Sequence, residues 1–122
     1  MIKIKLINWL SREAKEAEVL LSDGKFNITC FSHPFNYQST KIITQPLYSL
    51  NASDMIVVNS EQKLSVEKTN ESFGYKITGY VFNKKENQVK IGEFIIELDN
   101  QIPLDINEGN YLSFICDRID IY

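Results

Sequence analysis

Four flat rings occupy every second position of a short stretch in the first third of the chain: Phe31, His33, Phe35 and Tyr37. In extended backbone such residues point to one face, so this spacing predicts a ring-bearing surface. Rings displayed in this way stack on bases or sugars. We take these four residues, together with Tyr48, as the candidate ligand-binding set. The alternative is that the chain crosses over itself after Cys30, so that these rings and Tyr48 cover a second part of the core.

A metal site is the next chemistry to consider. Cys30 and His33 lie three positions apart, and Cys116 and Asp117 lie at the other end of the chain. Zinc sites generally present two close ligand pairs, and residues three apart on a strand face opposite sides. We therefore predict no metal ligand and no cofactor, and we expect both cysteines to be buried small hydrophobes of a reducing compartment.

Catalytic motifs are not evident in the sequence, which lacks a G-x-S-x-G, a phosphate loop and an H-E-x-x-H. The chain has one histidine, so acid–base catalysis would depend on His33 or on a carboxylate with a shifted pKa. We predict no catalytic residue. An enzymatic or small-molecule-binding barrel around His33 stays open as an alternative.

The charge balance bears on the class of partner. The 122 residues carry a net charge of −3 and only two arginines, Arg12 and Arg118. Proteins that bind nucleic acid by neutralising phosphates usually have a basic surface. The sequence therefore favours a protein partner over nucleic acid, for example a basic protein that an acidic domain could neutralise.

The elements that must position the rings are predicted to be strands. Residues 2–9 open on alternating apolar and lysine residues, which indicates a half-buried strand and not a signal peptide. Asp23-Gly24 between two alternating runs predicts a hairpin with a type I′ turn. A second hairpin is expected at residues 83–87. Residues 46–50, which begin with a proline, could open a short helix, and we expect at most one short helix in the chain.

Two long apolar runs change parity within themselves. Residues 89–98 do so near Gly92, and residues 111–122 do so near Asp117. Such changes indicate bulges or bends, which barrels use to turn corners. We predict one all-β domain over residues 1–122, an antiparallel barrel of six or seven strands. Its predicted buried residues are Ile4, Leu6, Val19, Leu21, Ile28, Cys30, Ile77, Val81, Ile96, Phe114 and Cys116.

The last quarter of the chain resembles a known barrel type. Residues 92–98, a loop containing Pro103, and residues 107–114 are similar to the closing strands of OB-type barrels. The resemblance implies an OB-like fold that binds oligonucleotides or oligosaccharides on its sheet face.

The composition predicts a cytoplasmic domain, since no stretch approaches the roughly 18 apolar residues of a membrane span. We predict a binding or interaction module without catalytic activity, with a protein partner favoured. Oligonucleotide or oligosaccharide binding is the alternative. Assembly of identical copies through edge strands such as residues 2–9 is a further possibility.

Overall fold

The computed structural model describes residues 1–59, 64–70 and 73–122, and within these ranges the chain is all-β. The strands are β1 (Ile2–Ser11), β2 (Glu16–Ser22), β3 (Asn27–Ser32), β4 (Ile42–Ile43), β5 (Leu47–Leu50), β6 (Ser53–Val58), β7 (Ser65–Lys68), β8 (Tyr75–Asn83), β9 (Gln88–Ile91), β10 (Phe94–Glu97), β11 (Tyr111–Cys116) and β12 (Arg118–Asp120). The predicted all-β class is confirmed. No helix that could cross a membrane occurs in these ranges.

All the strands belong to one mixed sheet. Its hydrogen-bonded order is β4-β1-β2-β3-β12-β5-β10-β9-β8-β11-β6, and β7 pairs with β8 beside this path. Two pairs are parallel, β12 with β3 and β10 with β5. In the described ranges no strand pair joins β4 to β6. The predicted six- or seven-stranded, purely antiparallel arrangement is therefore wrong in strand number and in direction.

The strand number rises because predicted single strands are divided. Residues 89–98 turn at Gly92 and Glu93 into the hairpin of β9 and β10, and residues 111–122 break at Asp117 into β11 and β12. Residues 46–50, where the sequence allowed a short helix, instead contain the strand β5, whose backbone pairs with β10 and β12. Tertiary pairing here overrides the local preference of Pro46 for a first helical turn.

Both predicted hairpins are present. The β8–β9 hairpin turns at residues 84–87, where Asn87 has φ 54°. The β2–β3 hairpin has a four-residue connection in which Gly24 has φ 94° while Asp23 keeps a negative φ, so the predicted type I′ geometry is wrong. Asp23 instead uses its side chain, because Oδ1 accepts the N–H groups of Lys25 (2.8 Å) and Phe26 (2.7 Å).

Asp23 also connects this turn to the turn between β9 and β10. Its Oδ2 accepts the Glu93 N–H at 2.9 Å. Gly92 has φ 58°, and a Cβ there would lie 2.3 Å from the same carboxylate oxygen, so only glycine fits this approach. The Met1 ammonium group contacts the Glu93 carboxylate at 2.5 Å. These polar contacts hold the N-terminal strands against the β9–β10 turn.

The core lies on the inner face of the curved sheet. Most of the predicted core residues are buried, namely Val19, Leu21, Ile28, Cys30, Ile77, Val81, Ile96, Phe114 and Cys116. Ile4 is only half-buried, and Leu6 is 61% exposed, so its predicted burial is wrong. The cause is an extra residue of β1 between Ile4 and Leu6, which turns Leu6 to the outer face and Ile7 to the inner face.

Truncation of Phe114 tests this assignment of faces. We expect Phe114→Ala to lower the free energy of unfolding by about 2–5 kcal/mol, because it leaves a cavity in the core. Leu6→Ala should change it by about 0.5 kcal/mol or less. Urea denaturation of both variants measures the difference, and similar losses for the two would show that the faces are inverted.

The hydrogen bonds that the Asp23 carboxylate accepts should make the free energy of unfolding depend on pH. Partial burial acts to raise its pKa, but the N–H groups of Phe26, Glu93 and Lys25 together hold the pKa below the usual value. The folded state therefore gains stability from the ionised form, and this gain is lost as the pH falls through the folded-state pKa.

We expect Asp23→Asn to destabilise the protein at pH 7 by about 1–3 kcal/mol. The difference from wild type should shrink as the pH falls through the folded-state pKa of Asp23. Asp105→Asn, at an exposed loop position, is the matched control. Urea denaturation at several pH values measures both, and a difference that stays constant with pH would contradict this role of Asp23.

Candidate functional site

The predicted ring surface is only partly assembled. Strand β3 ends at Ser32, so the alternation of faces does not continue to Phe35 and Tyr37. Phe35 donates its backbone N–H to the Lys15 carbonyl at 2.7 Å, which draws the chain over the β1–β2 turn. Its ring is 4% exposed and meets Trp9 edge-on at 5.6 Å. The prediction that all four rings share one face is therefore wrong for Phe35, which is part of the core.

Tyr37 is half-buried beside Phe35, with ring centroids 5.8 Å apart. Its hydroxyl donates to the Tyr122 carbonyl and accepts from the Gln45 amide at 2.7 Å. Tyr37 thus fixes the segment after β12 and does not form a stacking surface with Phe31.

Phe31 and Tyr48 do lie on the same face of the sheet, because the strand β12 lies between their two strands. Asp120 of β12 pairs with Phe31 on one side and with Tyr48 on the other. Paired residues of adjacent strands carry their side chains on the same face. Extending the register across the sheet gives one line of outward side chains, here called the outer row: Asn8, Glu18, Phe31, Asp120, Tyr48, Glu97 and Gln88.

Burial supports this assignment of the outer row. In the central strands the residues on either side of each row member are buried, for example Cys30 and Ser32 around Phe31, and Leu47 and Ser49 around Tyr48. The row members themselves are exposed or half-buried, except Asp120, which is 8% exposed. The row therefore lies on the outer face of the sheet, with the core directly beneath it.

The outer row alternates carboxylates with rings. Glu18, Asp120 and Glu97 are separated by Phe31 and Tyr48, and an amide ends the row on each side. The end amides hold the outer carboxylates: Asn8 Nδ2 donates to Glu18 and Gln88 Nε2 donates to Glu97, both at 3.2 Å. These hydrogen bonds orient Glu18 and Glu97 without neutralising their charge.

Asp120 differs from the other carboxylates because it has a cationic partner. Arg118 Nε and Nη2 donate to its two oxygens at 2.6 and 3.0 Å, a bidentate pair. The Arg118 guanidinium also lies over the Phe31 ring, 4.3 Å from its centroid. The hydrogen bonds from Arg118 to Asp120 raise the pKa of Arg118. This internal pair leaves Phe31 covered by a cation.

Two depressions flank Asp120. One is lined by Phe31, His33, Arg118 and Tyr122, so His33 lies beside the row and exposed. The other is lined by Tyr48, Glu97, Asp99 and Tyr122. The Tyr48 and Tyr122 rings meet edge-on across it, with centroids 5.2 Å apart. The second depression is therefore acidic and aromatic.

The cysteines and His33 do not form a metal centre. Cys30 and Cys116 are buried free thiols, and burial raises the pKa of Cys116 to about 12 and that of Cys30 further still. His33 is exposed on the outer side. Residues 1–59, 64–70 and 73–122 contain no group of three or more potential metal-ligating side chains.

Four residues of this site were not predicted from the sequence as site residues: Glu18, Glu97, Arg118 and Asp120. The parity change near Asp117 was a signal for a strand break, but it did not show that β12 would lie between β3 and β5. Comparison of the chain with protein-family models, with curated proteins and with solved structures finds no match.

The Arg118–Asp120 pair generates a stability prediction. Arg118→Ala should lower the free energy of unfolding by about 1–3 kcal/mol, because it leaves the buried Asp120 carboxylate unpaired. The loss is moderate because one third of the Arg118 side chain is exposed to solvent, which screens the pair. Removing both with Arg118→Ala and Asp120→Ala should cost less than the sum of the single changes. Urea denaturation of the wild type, the two single variants and the double variant gives a double-mutant cycle. Strictly additive losses would show that the pair does not interact.

Proposed function

We propose that this domain is a binding module without catalytic activity, and that its outer row receives basic side chains of a protein partner. The observation that carries the proposal is the alternation of three carboxylates with two rings along one line of the sheet. Arg118 pairs with Asp120 and covers Phe31, so Tyr48 and Glu97 are the members of this line that are open to a partner's cation. Carboxylates attract a cation, and a ring face beside them adds a cation–π interaction.

The strongest position for a cation is over Tyr48. Its ring stands between Asp120 on β12 and Glu97 on β10, each one strand away, or about 5 Å. Arg118 already lies over Phe31, which illustrates the same mode of contact within the chain. Over Tyr48 no cationic side chain from the described ranges is found. A lysine or arginine of a partner would lie over the Tyr48 ring as Arg118 lies over the Phe31 ring.

The overall charge favours the same class of partner. A net charge of −3 raises the association rate with a basic protein and lowers it with a phosphate backbone. The cation nearest the row, Arg118, is paired with Asp120 and adds little positive potential. Glu18 and Glu97 would repel phosphates brought to the rings. The row is therefore better suited to a basic protein surface than to nucleic acid.

Binding of a fluorescent peptide rich in lysine and arginine tests this proposal. We expect Glu97→Gln and Tyr48→Ala each to weaken binding roughly 5- to 30-fold, the equivalent of about 1–2 kcal/mol. Glu86→Gln removes the same charge at an exposed position in the β8–β9 turn and serves as the matched control. Fluorescence anisotropy at about 0.15 M salt measures the affinities and limits non-specific attraction.

Equal weakening by Glu97→Gln and Glu86→Gln would mean that only net charge matters, and the outer row would not be the site. Absence of peptide binding together with binding of single-stranded DNA would favour the oligonucleotide alternative. That DNA binding should then decrease with salt at about −0.7 per phosphate neutralised.

A second candidate function is oligosaccharide binding, which the OB-type resemblance of the C-terminal segment implies. The same alternation supports it, because rings pack on the apolar faces of sugars while carboxylates accept hydrogen bonds from their hydroxyls. Calorimetric titration with neutral oligosaccharides separates the two functions. Sugar binding that Tyr48→Ala abolishes and that salt leaves unchanged would favour this candidate over a basic partner.

A further inference from the structure

The outer edge of β1 is free over most of its length. Strand β4 pairs only with Ile2 and Lys3, whereas β1 continues to Ser11 along β2. From Lys5 onward this edge has no strand partner in the described part of the chain. Its backbone N–H and C=O groups are therefore available to another strand.

The same segment exposes large apolar side chains. Leu6 is 61% exposed and Leu10 is 45% exposed, both on the outer face, while Ile7 and Trp9 are half-buried on the inner face. The pairing of β1 with β2 is irregular between Ile4 and Leu6 and again between Trp9 and Ser11. Between these two irregularities Leu6 to Trp9 pair regularly with β2, so the middle of the regular part of β1 lies at Ile7 and Asn8.

The sequence of this segment matches itself in one antiparallel register. With Asn8 opposite Asn8 of a second copy, Leu6 lies opposite Leu10 and Ile7 lies opposite Trp9, so apolar side chains meet on both faces. Lys5 then lies opposite Ser11, and no like charges are opposed. Centring the pair on Ile7 would place Lys5 opposite Trp9 and Leu6 opposite Asn8. Centring it on Trp9 would place Leu6 opposite Arg12.

We propose that two copies of this chain associate through their β1 edges in the register centred on Asn8. The two sheets then become one, and the outer rows of the two copies meet end to end at Asn8. The interface is small, so the dimer dissociates in the micromolar range. The inference does not depend on the proposed function, because it rests on the free edge and its register.

Disulfide trapping tests the register. In the dimer the two Asn8 Cα atoms are about 4.5–5.5 Å apart, within disulfide range, whereas the two Leu10 positions are well separated. We expect Asn8→Cys to form a covalent dimer under mild oxidation and Leu10→Cys to stay monomeric on a non-reducing gel. Cys30 and Cys116 do not interfere because both are buried. Equal cross-linking of the two variants, or none of Asn8→Cys, would overturn the register.

A charge exchange tests the interface without a cross-link. In the double variant Leu6→Glu with Leu10→Glu, the opposed positions carry like charges, and we expect a monomer. In Leu6→Glu with Leu10→Lys, opposite charges meet at both positions, and we expect the dimer to return. Sedimentation velocity from about 10 µM to about 1 mM measures both. A wild-type chain that is monomeric up to about 1 mM, or a dimer that the two glutamates leave intact, would overturn the proposal.

Discussion

The whole sheet depends on the insertion of β12 between β3 and β5. This strand has three residues, yet among the described residues it provides the only strand pairing that joins β4, β1, β2 and β3 to the rest of the sheet. The Asp117 N–H donates to the Leu50 carbonyl at 2.8 Å, and the Ile121 N–H donates to the Phe31 carbonyl at 3.0 Å, so both neighbours are held at the ends of β12. Without this strand the sheet would divide into two.

The same short strand serves both faces of the sheet. Ile119 and Ile121 are buried in the core, while Arg118 and Asp120 point outward and satisfy each other's charge. Asp120 is thereby fixed between Phe31 and Tyr48 by backbone pairing on both sides. The centre of the outer row is therefore preorganised, and a partner would not need to order it on binding.

Local patterns in the sequence predicted the local structure well. Alternation identified the buried faces of β2, β3, β8 and β11, and the two parity changes marked real interruptions. The errors arise where the backbone departs from a regular strand, because the spacing of apolar residues does not indicate such departures. One extra residue in β1 reversed the face of Leu6, and the end of β3 at Ser32 removed Phe35 from the ring surface. The hairpin at Asp23 and Gly24 is present, but Asp23 keeps a negative φ and accepts backbone hydrogen bonds with its side chain.

The candidate site was less predictable because it is built from non-local parallel pairs. Phe31 and Tyr48 were identified from the sequence, but Asp120 lies between them because β12 is inserted between β3, to which it is parallel, and β5, to which it is antiparallel. Glu97 joins the row through the parallel pairing of β10 with β5. A period of two along one strand carries no information about which distant strand will lie beside it.

The late position of β12 in the chain has a consequence for how this protein folds. Strands β1, β2 and β3 are connected by short turns and can form early, whereas β12 closes a loop that reaches from Phe31 to Asp120. Closing so long a loop is entropically costly, and such contacts form slowly. Until then the edge of β3 is open, and the apolar side chains beside it are exposed. A chain in which β12 is unpaired is therefore more open to edge-to-edge aggregation than the complete sheet.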